Sequence, residues 1–328
     1  MLKRFSFFAC ALALSLSIGC SGGKTDEPTP NKTGESTSTK KFRVGVSLPA
    51  ADHGWTGGAY YWAEEATKKY PEIEWNIQTA ENSDDQIKDL DNMATKGMDA
   101  LVILATESAP VTPKAKELHD KGIFIVNVDR GFTEDIADVF LAGDNKAFGR
   151  MSAEYIVEKL KGKGKILILR GIPCTVDTDR YDSAMEVFKK NPGIEVLDAQ
   201  PGEWNKDKSY KAAQNMLTKN PKVDAIWSSD DDMSEGVEQA LKEANRTAGV
   251  WMLGGGGKKE IVKRIMDGDP LYPATVTYPP SMTGQAVDKC VEILKSGKKP
   301  EKHISELIKL DIVTPANAKD FYFEKSVY

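Results

Sequence analysis

Three consecutive stretches decide the fold: Ala100-Leu101-Val102-Ile103-Leu104, then Pro110 to Lys121, then Ile123-Phe124-Ile125-Val126-Asn127-Val128. The first is an unbroken apolar run, which is how a strand reads when both faces of a parallel sheet are covered. The second reads as a helix and the third as the next strand. A strand, a helical crossover and a second strand make one right-handed unit of a parallel sheet.

Working outward, the same unit recurs on both sides. Before it come strands at 42–48 and 75–79 and helices at 59–70 and 83–96, the latter with Ile87, Leu90 and Met93 at helical spacing. After it come a short strand at 139–142 and a helix at 147–160. A second series then starts, with strands at 165–169, 194–197, 225–227, 250–253 and 274–277 and helices at 179–190, 206–219, 233–244 and 282–295. Two such series predict an α/β chain of two similar doubly wound parallel-sheet lobes. The lobe boundaries expected are 42–143 plus about 279–311 for one, and 144–278 plus about 312–328 for the other, joined by a multi-strand hinge near 142–144, 277–279 and 311–313.

Ligands in this architecture sit beyond the carboxyl ends of the strands. In the first lobe the loops there hold Asp52, His53 and Trp55, and later Asp129-Arg130. An indole offers a flat apolar face, and a carboxylate beside a guanidinium supplies acceptors and a rigid fork of donors. Polyhydroxylated rings need both. Trp55 has a second reading as a hinge packer, His53 as a loop histidine making a structural bond, and Asp129 with Arg130 as a simple ion pair. The second lobe offers Arg180, Trp204 and the run Asp230-Asp231-Asp232, of which Asp230 is the residue expected in the cleft and a neighbour the cap of the following helix.

The acidic run lacks the alternating spacing and terminal Glu of a calcium loop, so no metal is expected. Gly254 to Gly257 precedes Lys258-Lys259-Glu260 and has no Ser or Thr after the lysine, so it reads as a flexible loop and not a phosphate cradle. No cofactor is implied. The chain has no H-E-x-x-H or G-x-S-x-G motif and three histidines, His53, His119 and His303, which argues against an enzyme.

The N-terminus carries a different message. Lys3 and Arg4 precede an apolar run from Phe5 to Ile18 that ends at Gly19-Cys20, the layout of an export signal over 1–19. Small residues directly before Cys20 resemble a lipoprotein signal, which implies lipidation of Cys20 and membrane attachment. Residues 20–41, rich in Ser, Thr, Gly, Pro and Lys, read as a flexible tether. The net charge of −5 and the absence of a basic block exclude a nucleic-acid partner. Past the signal and Cys20 the remaining cysteines are Cys174 and Cys290, which neither demand nor exclude a bridge.

From about Lys41 onward the chain resembles the ribose-binding protein family, the class I periplasmic-binding-protein-like sugar receptors of ABC transporters. The marks are Trp55, Val128-Asp129-Arg130, Gly143-Asp144-Asn145, Arg180, Trp204, Asp230-Asp231 and Tyr278, six residues before Gly284. The resemblance implies that Asp52 replaces an asparagine on the sugar hydroxyls, that Trp55 and Trp204 sandwich the ring, and that Asp129, Arg130 and Arg180 bind the ligand. It places Asp230 where an asparagine is frequent and Tyr278 where a glutamine is. Gly255 and Gly256 stand where the family has an aromatic residue and an aspartate, which puts ribose itself in doubt. The implied function is an extracytoplasmic, lipid-anchored monomer that captures a monosaccharide or sugar-like polyol between its lobes and hands it to the permease of an ABC importer. The alternatives are a non-sugar ligand such as an autoinducer-like furanose, or service to a chemotaxis or sensor partner.

Overall fold

A computed structural model describes residues 41–328. The export signal, Cys20 and the tether up to residue 40 lie outside the described residues. Among the described residues no helix is long and apolar enough to cross a membrane.

Two parallel sheets organise the chain. The first has six strands: β1 (Arg43–Pro49), β2 (Glu74–Ala80), β3 (Ala100–Ile103), β4 (Phe124–Val128), β5 (Val139–Gly143) and a late arrival, β11 (Ile304–Ile308). Their spatial order is β11-β5-β4-β3-β1-β2. β3 and β4, central and wholly buried, are the unbroken apolar runs that fixed the reading. The second sheet is built from β6 (Gly164–Arg170), β7 (Ile194–Pro201), β8 (Ala225–Trp227) and β9 (Trp251–Leu253), ordered β7-β6-β8-β9. A parallel bridge from Leu253 to Ala274 leads to β10 (Thr275–Val276), which pairs antiparallel with β12 (Ile312–Val313).

Helices α1 (Gly54–Thr67), α2 (Ser83–Thr95), α3 (Ser108–Asp120) and α9 (Met282–Ser296) accompany the first sheet; α4 (Asn145–Lys159), α5 (Thr175–Lys190), α6 (Lys206–Lys219), α7 (Asp231–Glu243) and α8 (Lys259–Met266) accompany the second. Side-chain caps mark several starts. Asn82, Asp144, Asn205 and Asp230 each accept a backbone N–H from the first turn, satisfying donors that have no helical partner.

Two helix starts depart most from expectation. α1 begins at Gly54, not Ala59, so Trp55 lies in a helical first turn. Gly57 and Gly58 are poor helix formers, but a Cβ on Gly58 would come within 2.8 Å of Pro280, so close packing, not propensity, sets that turn. α5 begins at Thr175, not Asp179, which puts Arg180 in its second turn. The segment after Gly257, for which no element was expected, holds α8, whose Ile261, Val262 and Ile265 are buried. The strands β11 and β12 and the short α10 (Ala318–Phe321) had no counterpart in the sequence reading.

The chain passes between the sheets after β5, between β10 and α9, and between β11 and β12. Two of these passages are tied together. Thr277 N donates to Asp311 O and Asp311 N to Thr277 Oγ1, both at 2.9 Å. Cys174 and Cys290 are both free and buried, and burial pushes their thiols up to about 11 and about 12.

Candidate cleft between the two sheets

The carboxyl ends of both sheets face one narrow cavity of about 30 Å³, room for roughly two waters at 10–15 Å³ each. His53, Trp55, Asp129, Arg130, Arg180, Trp204, Asp230 and Tyr278 line it, with Val176, Gly255 and Gly256. Eight of the nine residues singled out from the sequence therefore converge. The ninth, Asp52, does not line it. Its exposed carboxylate is held by His53 Nδ1 at 2.7 Å and Thr56 Oγ1 at 3.3 Å, and its pKa is lowered chiefly by the His53 bond.

Backbone strain aims several of these groups. Asp129, Trp204 and Ser229 have φ of 65°, 53° and 52°, a region that L-residues rarely adopt. All three lie past strand ends; Asp129 and Trp204 line the cavity, and Ser229 directly precedes Asp230, which does. Strain of this kind persists where packing over-determines it, and it clusters at binding sites. Trp204 lies flush on Gly171, where a Cβ would stand 2.2 Å from the indole.

Asp129 and Arg130 are each 3% exposed. Asp129 accepts from the Tyr278 hydroxyl at 2.5 Å. Burial pushes its carboxyl up, while Arg130 and that hydrogen bond pull it down. Arg130 Nη1 donates to the carbonyls of Ala105 and Thr106, at 3.1 and 2.8 Å, and the guanidinium lies 5.0 Å from the Trp204 ring centroid. Its Nε, however, is buried with no hydrogen-bond partner, and Asp129 Oδ2 is 3.8 Å away. Leaving a charged donor unpaired costs on the order of 1–3 kcal/mol or more.

Arg180 ties the second sheet's helix to the passage between lobes. Nε donates to Asn145 Oδ1 at 2.9 Å and Nη1 to Ser229 O at 3.0 Å. The guanidinium stacks 3.8 Å from Phe148 and 4.3 Å from Tyr278. Tyr278 also accepts from Asn145 Nδ2 at 3.1 Å and packs over Gly143, where a Cβ would collide at 2.2 Å. Its backbone carbonyl accepts from Trp55 Nε1 at 2.8 Å, so Trp55 both lines the cavity and fastens the hinge. The two readings of that residue are compatible.

Asp230 likewise has two roles. One oxygen caps α7 through Met233 N at 2.8 Å while the residue lines the cavity. Burial, then the neighbouring Asp232, raises its pKa well above the usual carboxylate value. Asp231 points the other way, accepting from Gly255 N, Gly257 N, Lys258 N and Thr275 Oγ1. That one carboxylate immobilises the glycine run that looked flexible in the sequence. Among the described residues there is no group of three acidic, His or Cys side chains suited to a metal ion.

The sequence reading missed four participants. Asn145 and Phe148 were quoted or spanned without a role. Thr175 joins the lobes at the cleft's edge, its Oγ1 accepting from Gly131 N at 2.9 Å and its N donating to Ser108 Oγ at 3.2 Å. Tyr328 reaches the glycine run from the far end of the chain. No local pattern signals the last two.

The sequence matches the periplasmic binding protein domain over residues 44–299. The chain belongs to that family. It is 24% identical over 300 residues to a ribose import binding protein of Bacillus subtilis (strain 168), covering 92% of this chain and 96% of the relative. It is 27% identical over 289 residues to a galactofuranose-binding protein of Escherichia coli (strain K12), covering 84% and 89%. Among solved structures, a galactofuranose-binding protein superposes with a TM-score of 0.80 at 25% identity, covering 88% of this chain and all of that one. The fructose-binding periplasmic domain of a hybrid two-component system superposes at 0.79 with 28% identity, covering 86% and 93%. The chain thus shares the α/β fold of these relatives, which bear the names of solute-binding proteins and not of enzymes.

Proposed function

We propose that this protein captures a monosaccharide or sugar-like polyol between its lobes, without turnover, and delivers it to the permease of an ABC importer from a lipid anchor at Cys20. The observation that carries the reading is the Arg130 Nε without a hydrogen-bond partner, 3.8 Å from Asp129 Oδ2, in a cavity that Asp129 and Asp230 also line. A hydroxylated ring answers that deficit and adds further bonds. It offers oxygens to the guanidinium and O–H donors to the carboxylates, and its C–H faces pack on Trp55 and Trp204. Relatives named for ribose, allose, galactofuranose and xylitol support this chemistry.

The cavity is smaller than any monosaccharide, so binding requires the lobes to stand further apart than here or the Tyr278 ring to yield. Hinge opening supplies the first route. The test is calorimetric titration of residues 41–328 with D-ribose, D-allose, D-fructose, xylitol and myo-inositol. Stereospecific binding that Asp129→Asn and Trp204→Ala both weaken at least tenfold supports the reading. No heat with any of the five, from folded and ligand-free protein, overturns it. Incorporation of labelled fatty acid that Cys20→Ser abolishes tests the anchor.

A further inference from the structure

Tyr328 lies seven residues past α10 and is 6% exposed. It bridges the two lobes. Toward the first, a Cβ on Gly54 would meet its ring at 3.2 Å and one on Gly58 its own Cβ at 3.3 Å. Toward the second, its hydroxyl stands over Gly256, 2.2 Å from where a Cβ would be. Gly256 has φ of 120°, which only glycine adopts without strain, so the position has no side chain of its own. The Tyr328 hydroxyl is buried with no hydrogen-bond partner. The segment is held in place by Lys259 Nζ, which donates to Ser326 O at 2.9 Å.

Gly256 belongs to two cavities. Inside is the cleft. Outside is a groove of about 530 Å³, lined by Trp62, Pro279, Phe321, Phe323 and Tyr328 among others. Tyr328 lines the groove and not the cleft. Its ring therefore backs the cleft wall at Gly256, where the wall is backbone alone, while the neighbouring Gly255 is backed by Phe148.

We propose that Tyr328 is a specificity-determining residue, the back wall of the cleft at Gly256, which limits ligands to those without a bulky substituent on that side. The proposal rests on the sugar-receptor reading above. Removing the ring leaves the Gly256 backbone unsupported between the cleft and an aromatic-lined groove that suits a flat apolar group, while removing the hydroxyl alone leaves the wall backed.

The experiment compares wild type, Tyr328→Phe, Tyr328→Leu and Tyr328→Ala, all as residues 41–328. Each is titrated with the free monosaccharide that wild type binds most tightly and with its phenyl glycoside. The expected result is a ratio of affinities, glycoside over free sugar, that rises at least tenfold in Tyr328→Ala and by a smaller factor in Tyr328→Leu, with Tyr328→Phe within twofold of wild type. Should Tyr328→Ala fail to fold, Tyr328→Leu carries the comparison. A ratio that stays within twofold of wild type in every folded variant overturns the proposal and leaves the receptor reading intact. Absence of monosaccharide binding by wild type overturns the proposal, and absence of xylitol and myo-inositol binding as well overturns the receptor reading with it.

Discussion

The Tyr278 hydroxyl donates to Asp129 Oδ1 at 2.5 Å inside the cleft, joining the passage that follows β10 to the loop that follows β4. The ring is therefore both a hinge residue and a partner of the carboxylate that a ligand would engage. Tyr278→Phe leaves that acceptor short of a donor in a buried site, a loss on the order of 1–3 kcal/mol. The expected outcome is a lower urea midpoint with an unchanged slope, since surface burial is the same. An unchanged midpoint would mean that the bond contributes nothing net.

Gly149 in α4 faces the backbone of α5 so closely that a Cβ would stand 2.0 Å from the Arg180 carbonyl oxygen. Gly149→Ala must push the two helices apart, and overpacking of this kind costs roughly 1–3 kcal/mol. It also moves Arg180, whose Nε bond to Asn145 is made at 2.9 Å. Reduced stability together with at least tenfold weaker ligand binding is expected. Reduced stability with unchanged affinity would separate the helix packing from the site.

Thr175 connects the lobes at the edge of the cleft through Gly131 and Ser108. Thr175→Val keeps the shape and removes the hydroxyl that accepts from Gly131 N. The variant should populate the open form more, seen as a larger radius of gyration by X-ray scattering of the ligand-free protein and a faster ligand off-rate. Identical scattering and off-rates would show that this contact does not hold the lobes together.

Asp231 gives a pH signature. Burial raises its carboxyl to about 6, against 3.8 for an unperturbed group, while bonds from Lys258 N and Thr275 oppose the rise. Between pH 4 and 6 the folded protein thus keeps a proton that the unfolded chain has released. The contribution of Asp231 to stability is complete below about pH 4 and declines as pH rises through 6. A shift of two units corresponds to about 3 kcal/mol. Asp231→Asn cannot titrate, so its stability should fall less than that of wild type between pH 4 and 7. Parallel curves for the two proteins would assign the proton elsewhere.

Eight residues that line the cleft were legible before any coordinates. Seven were singled out by side-chain type and by the rule that parallel strands present their carboxyl ends to ligands, and Tyr278 through the family resemblance alone. Trp204 and Asp230 are examples: each stands just past a strand that apolar runs had already located. Asp52 satisfied the same logic and fell outside, because His53 and Thr56 are nearer partners for its carboxylate than the cavity is.

The sequence alone determined the alternation of strands and helices, hence two parallel sheets and the loops that face the cleft, because periodicity and apolar runs are local signals. Tertiary structure decided the rest. The sixth strand of the first sheet, β11, carries a weak pattern and becomes a strand by pairing with β5. The glycine run after β9 becomes a fixed wall through Asp231, more than twenty residues away in the chain. Tyr328 closes that wall beside Gly54 and Gly58 of α1, from the opposite end of the described chain. Contacts between segments so distant leave no periodic trace in either segment, and only the packed fold brings them together.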